Sequence, residues 1–393
     1  MTAPSPPVER RQTRAPRVMY VQYTNPAAYP PLEHSASILA AAGCEVRLVG
    51  TGAANEPLRF QQSDRVRVAL MPFEPAGWRQ KLHYAQFANW VAGEARQWQP
   101  DWVYVSDPLA CPAALALRPL VDARFIYHEH DSPAEDTGAH SAFMRVVLRA
   151  RRALAARAEL CVLPNAERAE LFRQQTGRKR DVVTVWNCPM RGEVGIERAL
   201  PPTPGLRVLY HGSIVPARLP RTVLPALASL PDTVSLDVAG YETAGHPGYV
   251  ESLRREADSL GVAARVTFVG TLPTRDELMR QCQTCDVGMA LLPITSEDVN
   301  ERAMVGASNK VFDYLACGLA VLVGNMPVWR ETFAEAGFGR TCDPASPESV
   351  ATALRWLLEH PDERVAMGRR GRQRVAADWN YEHQFAPVLA RIV

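Results

Sequence analysis

Lysine is nearly missing from this chain of 393 residues: Lys81, Lys179 and Lys310 are three among 44 basic residues. Net charge is also small, +2 with histidine neutral. That excludes the strongly basic footprint of a nucleic-acid-binding protein, and no nucleic-acid partner is expected. No apolar run is long enough to span a bilayer. Residues 1–16 are rich in Pro and Arg and lack the apolar stretch of a signal peptide, so they read as a disordered tail. The eight cysteines are scattered through mostly apolar segments. This is the pattern of reduced, buried thiols, which implies a cytoplasmic protein. Cys282 and Cys285 form one C-x-x-C, but no second pair stands at zinc spacing.

Where lysine is so scarce, its placement is informative. Lys310 stands at the head of a segment in which Val311, Phe312, Leu315 and Ala316 have helical spacing, Gly318 suits a C′ stop, and residues 319–323 read as a fully buried strand. Ser308 and Asn309 precede it as a polar loop. A helix start offers unpaired N–H groups, and a lysine adds a compact point charge, which arginine's flat fork does not supply. Asp313 lies one turn on, where its carboxylate suits either the diol of a ribose or a surface ion pair with Lys310.

The length suits about two domains. Short β-like runs near 18–22, 45–49, 66–70, 102–105, 124–127, 160–163 and 182–185 alternate with helical stretches, which predicts a doubly wound parallel sheet. Gly and Pro break the pattern over 191–205, read as a linker between a first domain at 17–190 and a second at 206–376. A last helix is expected within 377–393. Ligands of such sheets bind beyond the strand C-terminal ends, so residues that follow strands are the candidates. His128 and His130 follow one strand, with Asp131 beside them; at i, i+2 the histidines also suit metal ligation, although no other cluster in the chain completes a metal set. A helical stretch at 141–159 carries Arg145, Arg149 and Arg152 on one face, with Arg151 and Arg157 beside it. That face suits either solvent or an anionic membrane surface.

Several of these pieces together resemble a known family. The 308–323 segment is similar to the nucleotide-sugar site of GT-B glycosyltransferases, most closely the retaining family 4, also described as glycosyl transferases group 1. The family's order continues upstream in Val208-Leu209-Tyr210-His211-Gly212-Ser213, Arg218, Ser235-Leu236-Asp237-Val238-Ala239-Gly240, 265–270 and 285–293. Tyr104-Val105-Ser106-Asp107-Pro108 and Leu163-Pro164-Asn165 are similar to the acceptor-side domain. The resemblance implies two Rossmann-like domains facing across a cleft, with the C-terminal helix crossing back to the first. It further implies transfer of a sugar from a nucleoside diphosphate to an acceptor hydroxyl, with retention and without a cofactor or metal. No Asp-x-Asp, the metal-holding motif of the other major glycosyltransferase fold, occurs in the chain.

By the same resemblance, Arg218 and Lys310 would act on the leaving diphosphate and His130 or His128 would face the donor sugar. His211, Gly212, Ser213, Gly240, Ser308, Asn309 and Asp313 would hold the donor. Two departures stand out: Val305 occupies the place of the family's first glutamate, and Ser213 that of an arginine found in many members. The missing glutamate leaves room for a catalytically silent binding subunit, and a nucleotide-sugar epimerase is a further alternative. The partners implied are a nucleotide-sugar donor and an acceptor whose identity the sequence does not specify.

Overall fold

A computed structural model describes residues 14–53, 58–75, 77–133, 141–195, 205–243 and 245–393. The expected tail falls outside these through residue 13, and residues 196–204 of the expected linker do as well. Arg14 is tied to the domain by a 2.8 Å bond to Asp101.

Seven parallel strands form the first sheet: β1 (Arg17–Gln22), β2 (Glu45–Thr51), β3 (Val66–Met71), β4 (Trp102–Ser106), β5 (Arg124–His128), β6 (Leu160–Leu163) and β7 (Val182–Thr184), in the order β3-β2-β1-β4-β5-β6-β7. Six more form the second: β8 (Leu206–Ile214), β9 (Val234–Glu242), β10 (Val266–Gly270), β11 (Val287–Ala290), β12 (Ala320–Gly324) and β13 (Gly339–Cys342), in the order β10-β9-β8-β11-β12-β13. Every pairing between these strands is parallel. In each sheet the order reverses once, beside β1 and beside β8, which opens a crevice at the carboxyl ends of the strands.

Parallel strands are covered on both faces, so alternate residues enter different cores. In β1, Val18 and Tyr20 join Leu32 and Leu39 of the Pro30–Ala41 helix, while Met19 and Val21 join Phe87 and Val91 of the Trp78–Trp98 helix. The second sheet repeats the division: Val208 and Tyr210 face the Pro347–Glu359 helix, while Leu209 shares a core with the Lys310–Ala316 helix.

The last helix, Tyr381–Ile392, crosses back onto the first domain. Tyr381, Phe385, Val388 and Ile392 form one stripe in the core with Val18, Tyr20 and Leu32. Asn380 caps the helix, and the Tyr381 N–H donates to the carbonyl of Pro189. All eight cysteines are buried and free. Burial pushes the Cys285 thiol up to about 12, which leaves it a protonated, inert core residue.

Candidate active site

The second-domain wall of the cleft is built on glycine. Gly212 in β8 has φ of +107° and Gly240 in β9 has φ of +151°. A side chain at either position would collide: a Cβ on Gly240 would meet the Gly212 carbonyl, and one on Gly212 would stand 2.9 Å from the Lys310 ammonium. Bare backbone therefore lies directly beneath that charge. Lys310 opens the Lys310–Ala316 helix and is partly exposed to the cleft. Burial and the neighbouring Arg218 push its pKa down to about 7. Arg218 donates to the Ser213 hydroxyl at 2.8 Å, which places a second cation beside the same turn.

Tyr314 fixes this corner. Its hydroxyl accepts the His211 N–H at 3.0 Å and donates to the Met289 carbonyl, bridging the ends of β8 and β11. The His211 ring lies 3.5 Å from Asp313. Burial, with Lys310 and Arg275 nearby, holds the imidazole neutral. Asp313 is fully buried and takes two bonds from Arg275, at 2.9 and 3.0 Å. Arg275 also reaches Glu193 at 2.8 Å, and Glu193 lies 3.0 Å from His34. The ion pairs of Asp313, Arg275 and Glu193 thus end against His34, on the Pro30–Ala41 helix of the first domain. Burial opposes the Arg275 charge and is outweighed by Asp313 and Glu193. The Asp313 carboxylate is therefore engaged by a guanidinium; the ion pair it makes is with Arg275, and not the surface pair with Lys310.

One cavity of about 280 Å³ gathers these groups. His211, Gly212, Ser213, Arg218, Gly240, Ser308, Asn309, Lys310 and Asp313 all border it. Of the two first-domain histidines, His130 borders it and His128 lies behind, fully buried, with the Tyr104 hydroxyl 2.7 Å from its Nδ1.

His130 is held by its backbone and left free at its ring. Its N–H donates to Asp107 at 2.7 Å and its carbonyl accepts from Arg168 at 2.6 Å. Both ring nitrogens are buried without a partner among the described residues. The ring packs between Tyr29 and His128, with centroids 5.4 and 3.9 Å away. Burial and Arg168 push its pKa down to about 3, so the imidazole is neutral at ordinary pH. Asp107 has φ of +64°. Burial and Asp131 push its pKa up to about 8, against the N–H donors that favour its ionised form.

Among the described residues, no group of three or more His, Cys, Asp or Glu is placed to hold a metal ion. Arg145, Arg149 and Arg152 are exposed on the Ala142–Arg157 helix. Arg151 turns inward instead and makes a two-point pair with buried Glu129.

Comparison with known proteins matches this architecture in both halves. The family model described as glycosyl transferase 4-like domain covers residues 32–188, and that described as glycosyl transferases group 1 covers residues 197–374. The chain belongs to the group 1 glycosyltransferases. This group 1 member is 32% identical over 175 residues to a GDP-mannose-dependent alpha-(1-6)-phosphatidylinositol monomannoside mannosyltransferase of Mycobacterium tuberculosis. That match spans 44% of each chain, so less than half the length of the curated relative is covered. A glycogen synthase of the same organism aligns over 90% of both chains at 23% identity. Among solved structures, Anabaena HepE in complex with UDP-glucose superimposes with a TM-score of 0.70 over 95% of this chain and 99% of that one, at 16% identity. Sucrose-phosphate synthase from Thermosynechococcus elongatus gives 0.69 over 96% and 98%, at 17%. These last two likenesses establish the two-domain GT-B fold.

Sequence reading passed over several residues of this group 1 site. Arg275 follows Thr274 at the start of the Arg275–Gln283 helix, and the Thr274–Glu277 capping box is the local signal that placed a helix start there. Nothing local marks its pairing with Asp313 and Glu193, which lie 38 and 82 positions away. Arg168 is fully buried and donates to the carbonyls of His130, Asn300 and Ala303, stitching the first domain to residues 300–303 of the second. Asn165 adds bonds to the carbonyls of Ala303 and Val305, and Ser132 and Asn300 exchange two more. Val305, at the place of the family's first glutamate, thus takes part through its backbone.

Proposed function

We propose that this group 1 member transfers a sugar from a nucleoside diphosphate sugar to an acceptor hydroxyl, with retention and without metal. The observation that carries the reading is the Lys310 ammonium suspended over the bare Gly212 backbone, with Arg218 beside it. That is a receptor for a compact dianion. The bond between the anomeric carbon and the diphosphate oxygen breaks and its electron pair leaves on the diphosphate, where Lys310 and Arg218 oppose the new charge. The acceptor oxygen bonds to the anomeric carbon, and its proton passes to the departing phosphate oxygen. His130, neutral and with both ring nitrogens unpartnered, is suited to hydrogen-bond a sugar hydroxyl at the domain boundary. The donors named for the relatives, GDP-mannose and UDP-glucose, are the first candidates.

A thermal-shift panel of UDP, GDP, ADP and dTDP on the wild type and on Lys310→Ala tests the site. A nucleotide at about a hundred times its Kd stabilises by roughly 2.7 kcal/mol, several degrees for a domain of this size. One nucleotide giving a shift that Lys310→Ala abolishes supports the reading and names the donor class. A shift that survives in Lys310→Ala removes Lys310 from the diphosphate site, and the absence of any shift favours a silent binding subunit. Turnover of the donor without an acceptor, forming an isomeric nucleotide sugar, would favour an epimerase.

Peripheral contact with an anionic membrane is a further part of this proposal and rests on exposed Arg145, Arg149 and Arg152. Co-sedimentation with anionic vesicles at low salt, lost on replacing Arg145 and Arg149 by Gln, is the expected outcome. Its absence would assign the face to solvent.

A further inference from the structure

A second cavity, of about 310 Å³, opens on the first-domain side of the cleft. Ala28, Tyr29 and Tyr241 border both cavities, so the two adjoin across those side chains. The chemistry changes sharply from one to the other. Arg59, Arg218, Arg275 and Lys310 line the first, whereas no lysine or arginine is among the described residues that line the second. In a chain with 44 basic residues, that absence is a distinct local feature. Among the described residues of its wall Glu74 is the one Asp, Glu, Lys or Arg, and Asn25, Gln80 and His83 are polar neighbours.

His83 is organised for a ligand. Its Nδ1 lies 3.0 Å from the Tyr23 hydroxyl, and its Nε2 is buried with no partner among the described residues. Phe73, 45% exposed, presents an aromatic face at the same cavity. The field of Glu74 reaches into the site: together with burial it raises the Tyr23 hydroxyl above its ordinary pKa.

We infer that the second cavity binds the acceptor, and that the acceptor group seated there is a neutral carbohydrate or polyol rather than a phosphorylated or carboxylated one. This rests on the glycosyl-transfer reading given above and names its acceptor class. A polyol supplies hydroxyl donors to Glu74 and to the side-chain amides of Asn25 and Gln80, meets the unpartnered His83 nitrogen, and lays its C–H face on Phe73. A phosphate in the same place would face a carboxylate with no lysine or arginine among the described lining residues to offset it, so the site selects by repulsion as well as by contact.

The test compares kcat/KM within pairs: methyl mannoside against mannose 6-phosphate, methyl glucoside against glucose 6-phosphate, and inositol against inositol phosphate, with UDP-glucose and GDP-mannose as donors. The neutral member of a pair should be preferred by about tenfold or more, since a like charge at close range is strongly unfavourable. Glu74→Arg should reverse that preference and Glu74→Gln should reduce it. A ratio within one protein is insensitive to how much of a variant folds. Equal or better use of the phosphorylated members by the wild type, or a ratio unmoved in Glu74→Arg, overturns the assignment. If nucleotide is released from neither donor, with any acceptor or with water, it is the transfer reading that fails. Saturation-transfer NMR of the same pairs in the presence of UDP or GDP then decides the class by binding, and preferential binding of the phosphates, or binding of neither member, overturns it.

Discussion

The two walls of the cleft solve different problems with different materials. On the second-domain side, binding capacity is concentrated in glycine backbone and a few cations: Gly212, Gly240, Arg218 and Lys310. On the first-domain side the cavity wall is aromatic and carries amides, drawn from separate loops and the first turns of the Trp78–Trp98 helix, which bring Tyr23, Tyr29, Phe73 and His83 together. A diphosphate is a point of charge, and a short motif satisfies it wherever bare N–H groups and a cation coincide. A neutral, hydroxylated ligand has shape and hydrogen bonds but no charge, and only several segments held at fixed distances could read one. Between the walls run two sets of polar bonds, the His34, Glu193, Arg275 and Asp313 chain and the Arg168 stitch.

The largest effect that would break this division is at Arg275. Replacement by Met leaves Asp313 and Glu193 buried without their cation, and stripping one partner from a buried ion pair costs about 3–5 kcal/mol. The expected result is a fall in Tm of roughly 2–4 °C for each kcal/mol, partly recovered when Asp313 is changed to Leu as well. A loss under about 1 kcal/mol would mean that the charge chain does not tie the walls together.

Arg168→Ala should come next. It removes three donors from the carbonyls of His130, Asn300 and Ala303, with an expected loss of about 2–4 kcal/mol. The radius of gyration in solution scattering should rise as the domains part, and kcat should fall more than nucleotide affinity because His130 loses its support. Unchanged scattering and kcat would reduce Arg168 to a local contact.

The smallest effect, and the one that sharpens the contrast most, is the pH dependence carried by Lys310. Its pKa in the fold is about 7, against 10.5 as the ordinary value. Between those two values the unfolded chain binds more protons than the folded one, so the lysine's contribution to stability rises with pH across that window. A bound diphosphate favours the ammonium and raises the pKa again, so binding takes up a proton above pH 7. Nucleotide affinity should therefore be flat below pH 7 and weaken above it, by at most about tenfold per unit. Calorimetry in buffers of different ionisation enthalpy reads that proton uptake directly. Lys310→Met should abolish both slopes, and if either persists the charge belongs elsewhere.

Much of this was legible in the order of residues. The seven strands of the first sheet stand where alternating β-like runs placed them, because strands buried on both faces are continuous apolar runs bounded by polar turns. Gly318, with φ of +74°, ends the Lys310–Ala316 helix as its position suggested. The second-domain residues nominated for the donor all border one cavity because each lies in the last residues of a strand or at the first turn of a helix, and a parallel sheet directs such positions to one edge. His128 and His130 were not distinguishable in sequence, since residues two apart share a face of a strand; β5 ends at His128, which is buried, and His130, two residues beyond, borders the cleft. The face of Arg145, Arg149 and Arg152 is exposed as expected, while Arg151 beside it is buried against Glu129, 22 residues away.

The sequence by itself determined the repeated strand and helix alternation, the glycine corner of the cleft and its scarce lysine, since these depend on local spacing and on the intrinsic properties of Gly and Lys. Only the tertiary structure decided that Asp313 is held by Arg275, that Arg168 joins the two domains, and that a cation-free cavity adjoins a cationic one. Those are relations between residues far apart in the chain, and burial sets their energies: a charge or hydrogen bond acquires its strength from the desolvated surroundings that the rest of the fold supplies.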